Sequence, residues 1–316
     1  MCLPVLRRTP PTRRSRAQDE HARMNERKAE DASVRDEAVA ARARSPMQAR
    51  VQSQRLAVDD DHFCATLATP EPALPAVIFV HGWNGTQEFD LGHMRDAVAV
   101  GCVVLAVDLR GHDRDDPRHE RVTREENLRD LLAAYDWLIA RDDVDGRAVA
   151  VVGFSYGAYL AALLTARRRV QWLALRSPAL YPDDGWNVPK HELEARVELA
   201  EYRRHVQPPG GNRALSALAQ FRGDVLLVSS QDDEVLPETV AESFRGALVR
   251  ASSITTRTIA GADHELSHPD ARRAWADLLQ DWLGAMVGGA RRQAVVAALE
   301  ARHEAVEGAG DPHERT

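Results

Sequence analysis

Cysteine is scarce in this 316-residue chain. Its three copies, Cys2, Cys64 and Cys102, cannot build a disulfide framework, and no two of them stand at metal-ligand spacing. Cys102 heads an apolar run and reads as a buried thiol, so a reducing, cytoplasmic setting is expected. No stretch of eighteen apolar residues occurs, and no membrane span is expected. The first twenty residues carry arginine pairs but no apolar core behind them, so they are not expected to act as a secretory signal. Positive charge is not in excess either. A formal net charge of −7 argues against nucleic acid or an anionic membrane surface as partner. Large apolar residues are few in residues 1–46, rich in Arg, Glu, Asp and Ala; this segment is expected to be disordered or a loose helix. Met1, Met24 and Met47 all remain candidate starts.

Apolar residues nevertheless make up 44% of the chain, enough for a sizeable core. "VQSQRLAV" and "HFCATLAT" read as two short strands. Continuous apolar runs follow at 76–80, 102–107, 148–152, 170–175 and 224–229, with a mixed run at 254–260. Runs of this length suit strands covered on both faces, as in a parallel sheet. Helical periodicity lies between them. "TREENLRDLLAAYDWLIA" opens with the capping box Thr123–Glu126 and places Leu128, Leu131, Leu132, Tyr135, Leu138 and Ile139 on one face. "WADLLQDWL" repeats the pattern. The alternation predicts an α/β sheet with helices on both faces, spanning residues 47–286. An irregular, lid-like region is expected at 177–222, too short for a large cap domain, and a surface helix and tail at 287–316. Nothing in the sequence fixes an oligomeric state.

Within "AVAVVGFSYGAYLAALL" a serine stands between two glycines. Ser155 directly follows the run 148–152 and precedes a helix-compatible stretch. A strand that feeds straight into a helix must turn sharply, and side chains two positions either side of the turn would collide, so Gly153 and Gly157 fit. The turn lifts the Ser155 hydroxyl above the carboxyl edge of the sheet. It also aims the amide of Tyr156, at the helix N-terminus, into the same space.

A serine hydroxyl needs a base, and the base needs a group to orient it. Both are sought at the ends of later strands. After the run 224–229, Asp232, Asp233 and Glu234 compete. Asp233 is preferred because it lies in the turn, with Pro237 placed to start a helix. After 254–260, His264 stands just beyond Gly261, whereas His268 lies nearer the next helix; His264 is taken as the base. His81 precedes its turn and is read as bonding locally. The loop "HGWNG" supplies a close backbone approach at Gly82 and a second oxyanion donor in the amide of Trp83. Tyr181 and Trp186 are candidates to line a substrate pocket, with plain surface packing as the competing reading. Arg176, ending a strand, is read as a salt-bridge partner or, failing that, a contact for an anionic substrate.

Taken together, "HGWNG", "DLRGH", "GFSYG", "DEVLP" and "GADH" resemble the α/β-hydrolase superfamily, in family order over roughly residues 50–286. The chain looks most like its compact dienelactone-hydrolase-like and serine-aminopeptidase-like members. Dienelactone hydrolases proper use a cysteine nucleophile where this chain has Ser155, so that activity does not carry over. The resemblance implies that Ser155 attacks an ester or thioester carbonyl of a small acyl substrate while His264 takes its proton, Asp233 orients the imidazole, and the Trp83 and Tyr156 amides receive the oxyanion. Water then releases the acid, with no metal or organic cofactor. Peptide or amide cleavage, acyl transfer, and a non-catalytic binding protein on the same fold are the competing expectations.

Overall fold

A computed structural model describes residues 49–58, 61–70 and 73–308. The expectation of disorder at 1–46 and the final eight residues of the tail lie outside them. The two strands anticipated near the start, β1 (Ala49–Val58) and β2 (Asp61–Pro70), pair antiparallel as a hairpin. Six further strands form one sheet: β3 (Leu74–Val80), β4 (Val103–Val107), β5 (Val144–Phe154), β6 (Trp172–Arg176), β7 (Asp224–Ser230) and β8 (Ser253–Ile259). They lie in the order β4-β3-β5-β6-β7-β8 and every pairing is parallel. The apolar runs become strands because both sheet faces are covered, so neither set of alternate side chains needs to be polar.

On one face Val77, Phe79, Ala150, Val152, Ala174, Leu226 and Val228 meet α1 (Leu91–Ala99) and α8 (Pro269–Gly308). Alternation sends Ile78, Val149, Val151, Leu173 and Leu175, all buried, to the other face. There α2 (Arg124–Ile139) and α3 (Tyr156–Leu164) pack on the strands. Helix α2 carries the capping box anticipated at Thr123 and Glu126. The interval 177–222, anticipated as irregular, holds three short helices, α4 (Lys190–Glu194), α5 (Val197–Arg203) and α6 (Arg213–Leu218). Helix α7 (Glu238–Ala247) follows β7. Helix α8 runs without interruption for 40 residues, through the point at 286–287 where the sequence suggested that a separate C-terminal helix begins.

Strand β3 is flanked by β4 on one side and β5 on the other. The chain leaves β3 toward one edge and returns across it, so the loops after β3 and β5 part company at a topological switch point. Crevices at the carboxyl ends of parallel strands form at such points.

Candidate active site

The crevice is lined by the loop after β3 and the turn after β5. Ser155 takes φ 50° and ψ −113° at the N-cap of α3, a conformation that L residues rarely hold. The two flanking glycines are dictated by contact. A Cβ at Gly157 would lie 2.1 Å from the Val80 carbonyl oxygen and 2.5 Å from that of His81; one at Gly153 would lie 2.5 Å from Ala158 Cα. The elbow is therefore pressed against the end of β3. Gly82 closes the same gap from the other side, since a Cβ there would stand 3.4 Å from the Ser155 Cβ. The next residues, Trp83 and Asn84, form a turn in which the Gly85 amide donates to the Gly82 carbonyl at 3.0 Å. Trp83 and Tyr156 thus follow two backbone segments in mutual contact at Gly82 and Ser155.

His264 reaches the same place from the loop after β8. Its Nε2 is 3.1 Å from Ser155 Oγ, and its Nδ1 is 3.0 and 2.9 Å from the two oxygens of Asp233. The imidazole is 3% exposed, beside the Phe154 ring at 5.0 Å between centroids. Asp233 Oδ1 also accepts the amides of Val235 and Leu236, so the turn into α7 fixes the carboxylate. Burial pushes the Asp233 carboxyl up, but the hydrogen bond and charge of His264, with the Leu236 amide and the Ser177 hydroxyl, outweigh it and leave the group below its ordinary value. Asp232, the competing acid, is exposed and joins the structure through its amide, which donates to the Ala262 carbonyl.

The remaining sequence candidates are placed as follows. His81 is buried. Its Nε2 accepts the Leu109 amide, which leaves Nδ1–H to donate to the Gly82 carbonyl at 2.7 Å. Burial lowers its pKa, and both ring nitrogens are engaged locally. Tyr181 is buried against Tyr156 and Tyr159; it would meet a substrate only on movement of the 177–222 segment. Trp186 donates from Nε1 to Glu125 and lies between the Arg124 and Arg213 guanidinium groups. Arg176 was read as a salt-bridge partner or an anion contact. Its one side-chain hydrogen bond among the described residues instead runs from Nη1 to the main-chain carbonyl of His264 at 2.8 Å, and its guanidinium lies 3.7 Å from the Phe154 ring centroid. The change has a physical cause: β6 ends under the site, so this side chain is enclosed by protein before it can reach solvent.

Sequence reasoning missed three supports. Ser177, with φ 38°, follows β6 and its hydroxyl contributes to holding down the Asp233 pKa. Asn127 accepts the Tyr156 hydroxyl at 3.0 Å. Lys190 lies buried among aromatic rings. Only Asn127, on the buried side of an otherwise apolar helical stripe, carries a signal visible in sequence. Four non-glycine residues have positive φ among the described residues: Asn84, Ser155, Ser177 and Leu266. All four follow the ends of strands that frame the crevice, and such clustering of costly backbone is a mark of functional sites.

One group of possible metal donors comes together among the described residues, His81, Asp108 and His112. The hydrogen bonds of His81 occupy both its nitrogens, and Asp108 accepts the amide and the side chain of Gln87, so the set offers a cation little free donor capacity. A cavity of about 410 Å³ adjoins Asp233, lined by Ser177, Pro178, Gln231 and Leu236 among others. Phe89 and Val235 leave apolar surface exposed near the crevice, Phe89 stacked 6.4 Å from Phe154. No described helix is long and apolar enough to cross a membrane.

The model of the Alpha/beta hydrolase family matches residues 77–278, more than half of the chain and every strand of the parallel sheet but the start of the first. The chain belongs to the alpha/beta hydrolase family. Among curated proteins, this chain is 29% identical over 179 residues to "Uncharacterized protein Rv2307c" of Mycobacterium tuberculosis (strain ATCC 25618 / H37Rv), covering 55% of the chain and 57% of the relative; it thus spans little more than half the length of that protein. Among solved structures it is similar to Est1E from Butyrivibrio proteoclasticus with ferulic acid bound, at a TM-score of 0.54, 17% identity, and coverage of 76% of this chain and 96% of that one. It is also similar to a structure described under LipS and LipT, two metagenome-derived lipolytic enzymes, at a TM-score of 0.53, 16% identity, and coverage of 67% and 94%. At these identities the likeness speaks for the fold.

Proposed function

We propose that this alpha/beta hydrolase is a serine hydrolase that cleaves a carboxylic ester or thioester of a small molecule through an acyl-enzyme. The observation that carries the reading is the continuous hydrogen-bonded row from Ser155 Oγ through the His264 imidazole to the Asp233 carboxylate, at 3.1 Å and 2.9 Å. His264 takes the proton from Oγ as the hydroxyl attacks the carbonyl carbon. Asp233, kept ionised by its hydrogen bonds, fixes the imidazole's orientation and stabilises the imidazolium. The Trp83 and Tyr156 amides receive the negative oxygen, a contribution of about 10²–10³ in rate for each donor of this kind. His264 returns its proton to the leaving alcohol or thiol. It then takes one from the water that attacks the acyl carbon and passes it to Ser155 Oγ as the acyl–Oγ bond breaks and the acid departs. Alcohol and thiol leaving groups suit this row because they need less protonation than an amine. Est1E, solved with ferulic acid bound, and the exposed apolar surface at Phe89 and Val235 lend further support to an acyl substrate.

A fluorophosphonate probe tests the reading. The expected result is covalent labelling of Ser155 that vanishes in Ser155→Ala, with turnover of p-nitrophenyl esters from acetate upward. Turnover of aminoacyl anilides without ester turnover would move the assignment to a peptidase. An unlabelled wild-type protein would leave a binding protein on a hydrolase fold.

A further inference from the structure

The side chains of the two residues that offer oxyanion amides meet around a third group. Lys190 is 0% exposed, and its Nζ lies 4.6 Å from the ring centroid of Trp83, 4.8 Å from that of Tyr156 and 4.9 Å from that of Tyr181. The Trp83 and Tyr156 rings are themselves edge-to-face at 5.8 Å. An ammonium held against aromatic faces away from water gains about 2 kcal/mol or more, so three rings at this range are held to one point. We infer that Lys190 is a positioning residue for the oxyanion donors, acting through the Trp83 and Tyr156 side chains on the amides of the same residues. The inference rests on the hydrolase reading above.

The local architecture turns a ring position into an amide position. Trp83 sits in a tight turn whose next residue, Asn84, has φ 62°, so its backbone cannot rotate independently of the side chain's anchor. His119 braces the same ring by stacking at 4.9 Å, while its Nε2–H donates to Asn84 Oδ1. Tyr156 is the first residue of α3, and its hydroxyl donates to Asn127. Lys190 is equally fixed. Its amide donates to the Val122 carbonyl at 2.8 Å, and its neighbour Pro189 forms a β-bridge with Thr123, the N-cap of α2. The ammonium thus joins the 177–222 segment and the start of α2 to both oxyanion turns. A displacement of about 1 Å in a positioned group costs on the order of 10²-fold in rate, so loosening this anchor should register in kcat.

Lys190→Met keeps the volume and removes the charge; Lys190→Arg keeps a cation able to lie on the rings. Lys190→Ala leaves a space that n-propylammonium matches atom for atom beyond Cβ. With p-nitrophenyl acetate and a fluorophosphonate, the expected result is a fall of about tenfold or more in kcat and in labelling rate for Lys190→Met, with KM changed little and recovery in Lys190→Arg. Added n-propylammonium should restore Lys190→Ala, and 1-propanol should not. Wild-type rates in Lys190→Met, or equal restoration by 1-propanol, would overturn the inference and leave a packing role alone. Should Lys190→Met fail to fold, the comparison of amine with alcohol on Lys190→Ala still decides. A wild-type protein that does not label at all would instead remove the hydrolase reading, and this inference with it.

Discussion

Replacing Arg176 with methionine should separate activity from stability. The guanidinium is 1% exposed and donates one charged hydrogen bond to the His264 carbonyl, worth about 1.5–3 kcal/mol. It stacks on Phe154, adding about 2 kcal/mol where water is excluded. Against these stand the desolvation of a buried ion, several kcal/mol, and a buried Nη2 with no hydrogen-bond partner among the described residues, about 1–3 kcal/mol. Burial pulls the group below the ordinary arginine range, while Glu265, Asp233, Asp90 and Asp263 hold its charge in place. Gains and costs nearly cancel, so Arg176→Met should change unfolding free energy by no more than about 1–2 kcal/mol in either direction.

The rate has no such compensation. Arg176 fixes His264 through its side chain and Ser155 through its main chain, because the Ser155 amide donates to the Arg176 carbonyl at 3.0 Å. Met keeps the second bond and loses the first, freeing the loop that carries the imidazole. A base displaced by about 1 Å lowers the rate on the order of 10²-fold. Urea denaturation and p-nitrophenyl ester kinetics on the same preparation give the two quantities. The reasoning fails if kcat/KM stays near wild type, or if stability falls by more than about 3 kcal/mol, which would make Arg176 a structural ion rather than a positional one.

Three further outcomes are expected. Gly157→Ala must move the elbow or the end of β3, given the 2.1 Å approach to the Val80 carbonyl; a fall of about 10² in labelling rate is expected, with a lower melting temperature, and wild-type labelling would refute the contact argument. Asp233→Asn should lower kcat by about 10³–10⁴, whereas Asp232→Asn, at an exposed position, should leave it near wild type; the reverse result would exchange their roles. Asp90 is pushed by burial from 3.8 to about 7, against the pull of Arg176. Between those values the folded protein binds more protons than the unfolded chain, so stability should decline as pH rises through about 4–7, by roughly 1–3 kcal/mol after discounting for partial exposure. Asp90→Asn should flatten that decline in urea melts at several pH values, and an unchanged slope would rule Asp90 out as its source.

What could be read from the sequence divides along physical lines. The apolar runs marked the parallel strands because a strand buried on both faces has no other composition available. The capping box marked the start of α2 because both of its bonds are local. Ser155, Asp233 and His264 were legible for a related reason: each stands three or four residues past a run read as a strand, and the glycines at 153 and 157 record a steric demand in their own identity. Features set by contacts distant in the chain were not legible. Arg176 looked like any strand-ending arginine until β5 and α8 enclosed it, and Lys190 opens a polar-looking segment whose burial depends on Trp83, more than a hundred positions away. The length of α8 was hidden by its glycines, Gly284, Gly288 and Gly289, which lower helix propensity by about 1 kcal/mol each but cost less where the helix packs on the sheet and on α1.

The strained backbone at the site is held by the sheet itself. Phe154 pairs with Arg176 and Arg176 with Val228, and the ladder continues one bond beyond each strand: the Ser155 amide donates to Arg176, and the Ser177 amide to Val228. The Ser155 carbonyl in turn accepts the amides of Tyr159 and Ala179. A non-glycine residue at φ 50° costs about 1–3 kcal/mol, and three main-chain bonds around one residue are enough to hold it there. The same bonds set direction. A slip of one residue between β5 and β6 would turn one strand's side chains to the opposite face, parting Arg176 from the Phe154 ring it now covers. The position of the hydroxyl relative to the imidazole is therefore a consequence of strand register, and the loops add only the last few ångströms.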